Sequence, residues 1–169
     1  IPLFIIRCLE GGKLPIYGDG MNVRDWLYVD DHCRGIEAVL ARGREGETYN
    51  IGGRCEQPNL VVIDTIVKTV DAAFAADPQL RERFPQSPAA RGASCAELKT
   101  YVTDRPGHDR RYAIDPRKIE AEIGFVPAYR FEQALAETVE WYLANESWWR
   151  SIQTNAYREW VSVNYAGRG

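Results

Sequence analysis

The spacing of apolar residues predicts a helix, two strands and a second helix in the first part of the chain. Residues 3–9 carry apolar side chains at helical spacing and lead into Gly11-Gly12, which can close a helix through positive φ. Residues 14–17 and 23–29 are rich in β-branched and aromatic side chains, which favour strands. Asp30-Asp31 then predicts the N-cap of the second helix, because short polar side chains accept hydrogen bonds from free backbone N–H groups.

The middle of the chain contains one long apolar helix pattern between a short strand and a polar stretch. Residues 47–51 predict a strand that ends at Gly52-Gly53, and Asn59 is expected to cap the next helix. The predicted core face of that helix consists of Val62, Ile63, Ile66, Val67, Val70 and Phe74. Residues 75–97 are polar and contain three prolines, and we interpret them as a loop or disordered insert.

The last part of the chain predicts two strands and two helices. Residues 100–103 and 111–114 are expected to form strands on either side of a polar loop. Asp115-Pro116 is typical of an N-cap followed by proline at the first helical position, and that helix should end at Gly124. The final predicted helix has a core stripe of Phe131, Leu135, Val139, Tyr142 and Leu143.

Helices and strands alternate loosely, which indicates an α/β fold, but the sequence contains no dinucleotide-binding loop. Gly18-Asp19-Gly20 comes nearest to one. However, Val23 occupies the third glycine position, and a predicted strand follows instead of a helix. No tyrosine is followed by a lysine four residues later, the pair that short-chain dehydrogenases use for proton transfer. We therefore expect neither NAD-binding nor catalytic residues within this chain.

Composition and charge narrow the class of protein. The chain has 169 residues, 45% of them hydrophobic, which suits one compact unit or part of a larger one. A net charge of −3 at pH 7 makes nucleic acid and anionic membranes poor candidates as partners. The sequence shows no membrane-length apolar run and no leader pattern, which favours a cytoplasmic protein. Because Ile1 already lies in a predicted helix, we expect the chain to begin inside a fold.

The cysteines do not form a metal-binding pattern. Cys8, Cys33, Cys55 and Cys95 are widely spaced without a C-x-x-C motif, and the chain has only 2 histidines. We interpret the cysteines as buried free thiols in a reducing compartment rather than as zinc ligands.

Several polar residues could contact a phosphorylated ligand, and each also has a purely structural interpretation. Arginine suits a diphosphate because its planar guanidinium donates paired hydrogen bonds and stays charged. Each candidate arginine could equally be solvated or paired with a nearby aspartate, Asp25, Asp104 or Asp109, and that interpretation is favoured for any one of them alone. The four candidates are Arg24, Arg105, Arg110 and Arg111.

Three further residues have two possible roles each. His108 could bind a phosphate or ribose oxygen, or cap a strand. Asn50 stands before Gly52-Gly53, where a backbone can approach a ligand closely, but it could also serve only the turn. Tyr17 could stack on a base, or it could belong to the core.

Five motifs in chain order together resemble one protein family. They are Pro-Ile-Tyr-Gly at 15–18, Arg-Asp-Trp-Leu-Tyr-Val-Asp-Asp-His at 24–32, Glu-Thr-Tyr-Asn-Ile-Gly-Gly at 47–53, Asp-Arg-Pro-Gly-His-Asp-Arg-Arg-Tyr-Ala-Ile-Asp at 104–115 and Thr-Val-Glu-Trp-Tyr at 138–142. Over nearly its whole length, the chain resembles the C-terminal half of the dTDP-glucose 4,6-dehydratases, which are extended short-chain dehydrogenases. The second motif is shared by many nucleotide-sugar enzymes, whereas the fourth is typical of dTDP-glucose and GDP-mannose 4,6-dehydratases.

The resemblance implies a set of substrate contacts. Arg24 and Arg105 would hold the diphosphate, and Asn50 and His108 would bond diphosphate or ribose oxygens. Tyr165 would close the site. The other implied contacts are Ile1, Pro2, Leu3 and Phe4 around the nucleotide, Pro15, Ile16 and Tyr17 in the thymine pocket, and Asp104, Pro106 and Gly107 in the fourth motif.

The resemblance also implies an activity. In such enzymes NAD oxidises the glucose C4 hydroxyl, water leaves across C5 and C6, and the hydride returns to C6. Residues 1–169 would bind dTDP-glucose as the sugar-nucleotide-binding part and would be inactive alone, because the NAD-binding half is absent. The family is usually homodimeric.

The resemblance further implies that this lobe carries elements of another sheet. Residues 32–42 and 47–51 would complete the Rossmann-type sheet of the NAD-binding half, so we expect exposed apolar surface and poor stability or self-association. Three alternatives remain open at this point: part of a GDP-mannose 4,6-dehydratase, part of a UDP-sugar epimerase, or a non-catalytic module that binds nucleotide sugars.

Overall fold

The computed structural model describes residues 1–153 and confirms an α/β chain. Its helices and strands, in chain order, are α1 (Pro2–Glu10), β1 (Leu14–Tyr17), β2 (Val23–Asp25), α2 (Val29–Arg42), β3 (Glu56–Pro58), α3 (Asn59–Ala76), α4 (Gln79–Arg83), β4 (Lys99–Val102), α5 (Arg117–Ile123), α6 (Phe131–Ala144) and α7 (Glu146–Gln153). Two short 3-10 helices, Pro88–Arg91 and Cys95–Leu98, lie between α4 and β4.

The described strands form two small sheets. β1 and β4 pair in parallel, with Leu14 opposite Lys99 and Tyr17 opposite Val102. β2 and β3 pair antiparallel, with Val23 opposite Pro58. The parallel pair brings the end of β1 beside the loop that follows β4, and this juxtaposition builds the rim of the site described below.

The large core forms where α3 packs against α1, α6 and the β1–β4 sheet. Val70 and Phe74 of α3 are 0% and 1% exposed, and Val139 of α6 is 1% exposed. Each such side chain contributes roughly 1.5–3 kcal/mol relative to an exposed one. Other members of the large core are Ile5, Leu9, Leu14, Ile16, Val62, Ile63, Ile66, Val67, Leu135 and Trp149. The core stripes predicted on α3 and α6 are confirmed.

The small core lies between α2 and α5 and is much less extensive. Its buried members are Ala38, Ile119, Ile123 and Phe125. The opposite side of α2 carries an apolar stripe at helical spacing, and this stripe faces solvent. Its members are Val29, Ile36 and Leu40, which are 62%, 43% and 82% exposed, together with the exposed Cys33.

The boundary between β2 and α2 differs from the prediction. The strand ends at Asp25 instead of continuing to Val29, and Val29 is the first residue of α2. Asp31 lies in the first turn, buried, and does not act as the N-cap. Its carboxylate accepts hydrogen bonds from Arg34 and from the backbone N–H groups of Ala128 and Tyr129. A long-range contact has therefore replaced the local one.

The predicted strands at 47–51 and 111–114 do not form among the described residues. A strand needs a neighbouring strand to pair with, and residues 47–51 pair with none in residues 1–153, whereas Arg111 makes one isolated bridge to Val23. Two helix starts also shift by one residue: Pro58 and Pro116 are the N-caps of α3 and α5 in place of the predicted Asn59 and Asp115.

Glycines end two helices as predicted. Gly11 and Gly124 follow α1 and α5 with φ of 71° and 73°, which satisfies the last carbonyls of each helix at little conformational cost. The cysteines are free thiols, and two of them, Cys8 and Cys95, are buried as predicted, whereas Cys33 is exposed and Cys55 is partly buried.

The segment 75–97 is not the loop or disordered insert that its composition predicted. The end of α3, then α4 and both 3-10 helices, occupy much of it. It buries Leu80, Phe84 and Ala89 at 2%, 2% and 6% exposure, so it forms one wall of the large core. Within residues 1–153, no helix combines the length and apolar character that crossing a bilayer requires.

Candidate functional site

An apolar cavity of about 210 Å³ opens between the start of α1, strand β1 and the first turns of α3. Six of the predicted nucleotide contacts line it: Ile1, Leu3, Phe4, Pro15, Ile16 and Tyr17. The other wall is formed by Gly20, Trp26, Asn59, Val62, Ile63 and Ile66. Residues from three separate predicted elements therefore meet at one cavity.

The turn after β1 fixes the position of α3 at this cavity. The backbone N–H groups of Asn59 and Leu60 donate to the carbonyls of Asn22 and Gly20, both at 2.9 Å. These bonds satisfy donors that a helix start leaves free. Gly20 has φ of 72°, and a Cβ atom there would lie 2.8 Å from Ile16, so only glycine fits this close approach.

The loop that follows β4 forms a polar rim beside the cavity. We call residues 104–112 the rim loop. Arg105-Pro106-Gly107-His108 makes a tight turn in which the His108 N–H donates to the Arg105 carbonyl at 3.2 Å and Gly107 has φ of 67°. Proline followed by a positive-φ glycine is the pattern of a type II turn. This turn places Arg105 and His108 beside Tyr17, which lines the cavity.

His108 and Arg105 both contact Tyr17. The rings of Tyr17 and His108 meet edge to face with centroids 6.3 Å apart, and the Arg105 guanidinium lies 5.7 Å from the Tyr17 ring. His108 Nδ1 hydrogen-bonds Asp104 Oδ1 at 2.6 Å. That bond holds the pKa of the Asp104 carboxyl below its ordinary value. The fourth motif and the Pro-Ile-Tyr-Gly motif are therefore adjacent in space.

Arg24 is held beside the rim loop by neutral groups. Its Nη1 donates to the Val23 carbonyl at 2.7 Å and its Nη2 donates to the Asp109 carbonyl at 3.1 Å. The guanidinium lies 4.2 Å from the centre of the Tyr112 ring. A hydrogen bond to Asp109 raises the pKa of the Tyr112 phenol, and the charges of Arg24 and Arg105 both oppose that rise. The charges of Arg24 and Arg105 therefore both act to lower the pKa of the Tyr112 hydroxyl.

Two of the four candidate arginines have a carboxylate partner and two do not. Arg110 bonds both carboxylate oxygens of Asp19 at 2.9 and 3.0 Å, and Arg111 bonds Glu56 at 2.7 Å. Within residues 1–153, Arg24 and Arg105 form no ion pair with a carboxylate. Arg110 and Arg111 are therefore paired, but with Asp19 and Glu56 instead of the predicted Asp25, Asp104 or Asp109, while Arg24 and Arg105 keep their charge available.

Two of the predicted contacts, Asn50 and Pro2, line other cavities, and a third lies outside the described residues. Asn50 lines a separate depression with His32 and Tyr49, and its amide donates to the Asp115 carbonyl at 3.4 Å. Pro2 lines a neighbouring cavity of about 320 Å³. Tyr165 lies outside the described residues. The roles of Asn50, Pro2 and Tyr165 in binding remain predictions.

Two of the cavity residues that the sequence did not identify as contacts, Asn59 and Trp26, carry polar side-chain groups. Asn59 was interpreted as a helix cap, but its side chain lines the cavity and has no hydrogen-bond partner among the described residues. Trp26 lines both cavities, and its buried Nε1 likewise lacks a partner within residues 1–153. The motif around Trp26 indicated the family. The pattern of apolar residues, however, did not predict that the indole would line a cavity.

The turn at Gly18-Asp19-Gly20 does not fit a dinucleotide. The Gly18 N–H donates to the Val102 carbonyl and the Gly20 N–H donates to the Tyr17 carbonyl, both at 3.0 Å. These N–H groups are therefore not free to bind a phosphate, and strand β2 follows the turn instead of a helix. The described residues offer no fit to NAD at this turn.

Comparison with known proteins identifies the family. A family model described as GDP-mannose 4,6 dehydratase matches residues 1–138. The chain is 46% identical over 168 residues to a dTDP-glucose 4,6-dehydratase from Escherichia coli, covering 99% of this chain and 42% of that protein. It is 50% identical over 158 residues to one from Xanthomonas campestris pv. campestris, covering 94% of this chain and 41% of the relative. The chain thus spans about two-fifths of the length of these relatives.

Solved structures agree with the sequence comparison. The dTDP-glucose 4,6-dehydratase DesIV from Streptomyces venezuelae, with NAD and TYD bound, matches with a TM-score of 0.73 and 42% identity over 90% of this chain and 40% of its own. An NAD complex of the Bacillus anthracis enzyme matches with a TM-score of 0.71 and 45% identity over 89% of this chain and 41% of its own. The fold is that of the extended short-chain dehydrogenases. This chain belongs to the GDP-mannose 4,6-dehydratase family and corresponds to the C-terminal part of the dTDP-glucose 4,6-dehydratases.

Proposed function

We propose that this chain binds dTDP-glucose as the substrate-binding part of a dTDP-glucose 4,6-dehydratase. The observation that carries the proposal is the pair Arg24 and Arg105, which have no carboxylate partner among the described residues. Arg24 lies beside the rim loop and Arg105 within it, next to an apolar cavity. A ligand with an apolar flat end and a doubly charged middle suits this arrangement. A nucleoside diphosphate sugar has both.

The cavity suits the base. Its walls are apolar side chains of α1, β1 and α3, and the ring of Tyr17 stands at the edge near the rim loop. A pyrimidine with a methyl group buries more apolar surface there than uracil does, and one buried methyl or methylene group contributes about 0.8 kcal/mol. We therefore propose a preference for dTDP over UDP.

The rim suits the diphosphate. Guanidinium groups bind phosphate oxygens through charge-assisted hydrogen bonds, which are roughly twice as strong as neutral ones. The Arg24 bonds to the Val23 and Asp109 carbonyls orient its guanidinium without neutralising the charge. His108 and its partner Asp104 complete the rim next to Tyr17.

We further propose that this chain contributes binding and orientation but no chemical step. NAD supplies the hydride acceptor and donor in the two-stage reaction of such enzymes, and the turn nearest to a phosphate loop here has its N–H groups engaged. Contacts to the diphosphate, which is remote from the reacting carbons, would hold the sugar in a reactive position. Such positioning can contribute a large part of an enzyme's rate increase. The isolated chain would therefore be inactive. A homodimer and a cytoplasmic location for the whole protein are parts of the same proposal.

The first test is calorimetric titration of the chain with dTDP, UDP and GDP. We expect dTDP to bind most tightly and Arg24→Ala to weaken it about 10- to 100-fold, because charge-assisted hydrogen bonds contribute about 1.5–3 kcal/mol. The matched control is Arg91→Ala. This change also removes one exposed arginine, but one that is paired with Glu97 on a 3-10 helix away from the rim loop.

Four results would argue against the proposal. Equal weakening by Arg24→Ala and Arg91→Ala would show that only net charge matters. Preference for GDP would favour a GDP-mannose dehydratase, and preference for UDP would favour an epimerase. A folded chain that binds none of the three nucleotides would rule out a preformed site in this part of the protein.

A second test compares Asn59 with Asn50. The resemblance implied Asn50 as a contact, whereas the cavity wall contains Asn59. We expect Asn59→Ala to weaken dTDP binding about threefold to tenfold, as the loss of one neutral hydrogen bond predicts. Asn50→Ala serves as the matched change and should leave the affinity unaltered. The reverse outcome would restore the prediction made from the resemblance.

A further inference from the structure

We infer that Asn22 is a positioning residue that holds the rim loop and Arg24 in register for the diphosphate. The inference rests on the proposed function, which it deepens by naming the group that orders the anion-binding side chains. Asn22 does not line the cavity, so its effect on a ligand must pass through the groups that it contacts.

Asn22 is a polar side chain in a buried position. It is 2% exposed, and its Nδ2 donates to the Asp109 carbonyl at 3.2 Å, across 87 residues of sequence. The same carbonyl accepts the bond from Arg24 Nη2 at 3.1 Å. The Asp109 carbonyl oxygen of the rim loop therefore accepts hydrogen bonds from two side chains, the buried amide of Asn22 and the guanidinium of Arg24, which we propose binds the diphosphate.

The backbone of Asn22 reaches the other side of the site. Its carbonyl accepts the N–H of Asn59, the first residue of α3 and a member of the cavity wall. The next residue, Val23, accepts from the Tyr112 N–H at 3.0 Å and donates to the Arg110 carbonyl at 2.8 Å. Residue 22 thus lies where the turn after β1, the start of α3 and the rim loop meet.

Other side-chain contacts of the rim loop are poorly suited to this role. The Arg110–Asp19 and Arg111–Glu56 pairs are exposed, and exposed ion pairs contribute little to order because water and salt compete with them. The amide of Asn22 is shielded from water, so its bond to Asp109 meets no such competition.

The amide also leaves one group unsatisfied. Asn22 Oδ1 is buried and has no hydrogen-bond partner among the described residues. A buried polar atom without a partner destabilises a fold, so an apolar side chain of similar size would serve stability at least as well. The presence of asparagine at this position is therefore better explained by where it holds the Asp109 carbonyl than by stability.

The test is Asn22→Leu, with three measurements on the chain: thermal unfolding, hydrogen–deuterium exchange without ligand, and calorimetric titration with dTDP. We expect the melting temperature to stay within a few degrees, amide exchange in residues 104–112 to rise about tenfold with α6 unchanged, and dTDP affinity to fall about fivefold. Asn22→Gln, which keeps the amide donor, should recover part of the affinity. If Asn22→Leu fails to fold, Asn22→Ala supplies the same comparison.

Two outcomes would overturn the inference. Exchange in residues 104–112 that is unchanged would show that Asn22 does not order the loop. A general rise in exchange with a large fall in melting temperature would show an ordinary core role. If the wild-type chain does not bind dTDP, the proposed function fails, and the exchange experiment still decides independently whether Asn22 holds the loop.

Discussion

The large core and the small core differ in how completely their helices are covered. In the large core, α3 is enclosed by α1, α6 and the segment that precedes β4. The first turns of α3 form one wall of the cavity described above. In the small core, α2 buries only one side against α5 and leaves Val29, Ile36 and Leu40 in solvent. The comparison teaches that the cavity belongs to a core whose central helix is enclosed on several sides, whereas α2 is packed on one face only.

The largest effect should come from truncating the large core. Phe74→Ala should lower the free energy of unfolding by about 3–5 kcal/mol and weaken dTDP binding, because α3, whose first turns line the cavity, loses its packing against Phe84. Ile119→Ala in the small core should lower the free energy of unfolding by about 2–5 kcal/mol but leave the dTDP affinity of the folded fraction unchanged. Urea unfolding and calorimetric titration measure both effects.

Equal loss of dTDP affinity in Phe74→Ala and Ile119→Ala would contradict the distinction between the cores. It would show that α2 and α5 are coupled to the cavity as strongly as α3 is.

An intermediate effect is expected from changing the exposed stripe of α2. We expect the chain to self-associate through this stripe, and Leu40→Lys should reduce that association because it places a charge at the position that is 82% exposed. The free energy of unfolding should change by no more than about 0.5 kcal/mol. Sedimentation velocity over a range of concentrations measures the association.

The control for Leu40→Lys is Val61→Lys. It makes the same kind of change on α3, at a side chain that is 43% exposed. If both variants reduce association equally, net charge is the cause and the α2 stripe has no special role.

The smallest perturbation is chemical labelling of the cysteines, which sharpens the comparison without altering a core residue. Cys33 on the exposed side of α2 should react with iodoacetamide at neutral pH. Cys8 in the large core should react only after unfolding, because a hydrogen bond with Cys95 and burial raise the pKa of its thiol and keep it protonated. Peptide mass spectrometry reads both sites, and early labelling of Cys8 would show that the large core opens readily.

The sequence predicted those parts of the fold that depend on local periodicity. Helices α1 and α6, and the end of α5 at Gly124, follow from apolar spacing and from glycine at the helix end. Segment 47–51 has the composition of a strand, but a strand also needs a partner. Asp31 was predicted to cap the start of α2, yet its carboxylate accepts hydrogen bonds from the backbone N–H groups of Ala128 and Tyr129, nearly a hundred residues later.

The candidate site was predictable to the extent that the motifs indicate a family. Most of the apolar contacts that the resemblance implied line the cavity between α1, β1 and α3. Of the four candidate arginines, Arg24 and Arg105 are the two without a carboxylate partner among residues 1–153. The choice between Asn50 and Asn59 could not be made in this way. Both lie next to turn-like sequences, and only the path of the chain in space brings Asn59 to the cavity.

The parallel pairing of β1 with β4 has a consequence for the order of folding. Leu14 and Lys99 become neighbours only after the chain between them has been brought back on itself, and such distant closures slow folding. The helices can form early from local contacts, but Tyr17 and His108 meet only when this closure is complete. We therefore expect the rim loop to be among the last features to reach its place beside the cavity, so a ligand that needs both would bind only after this closure.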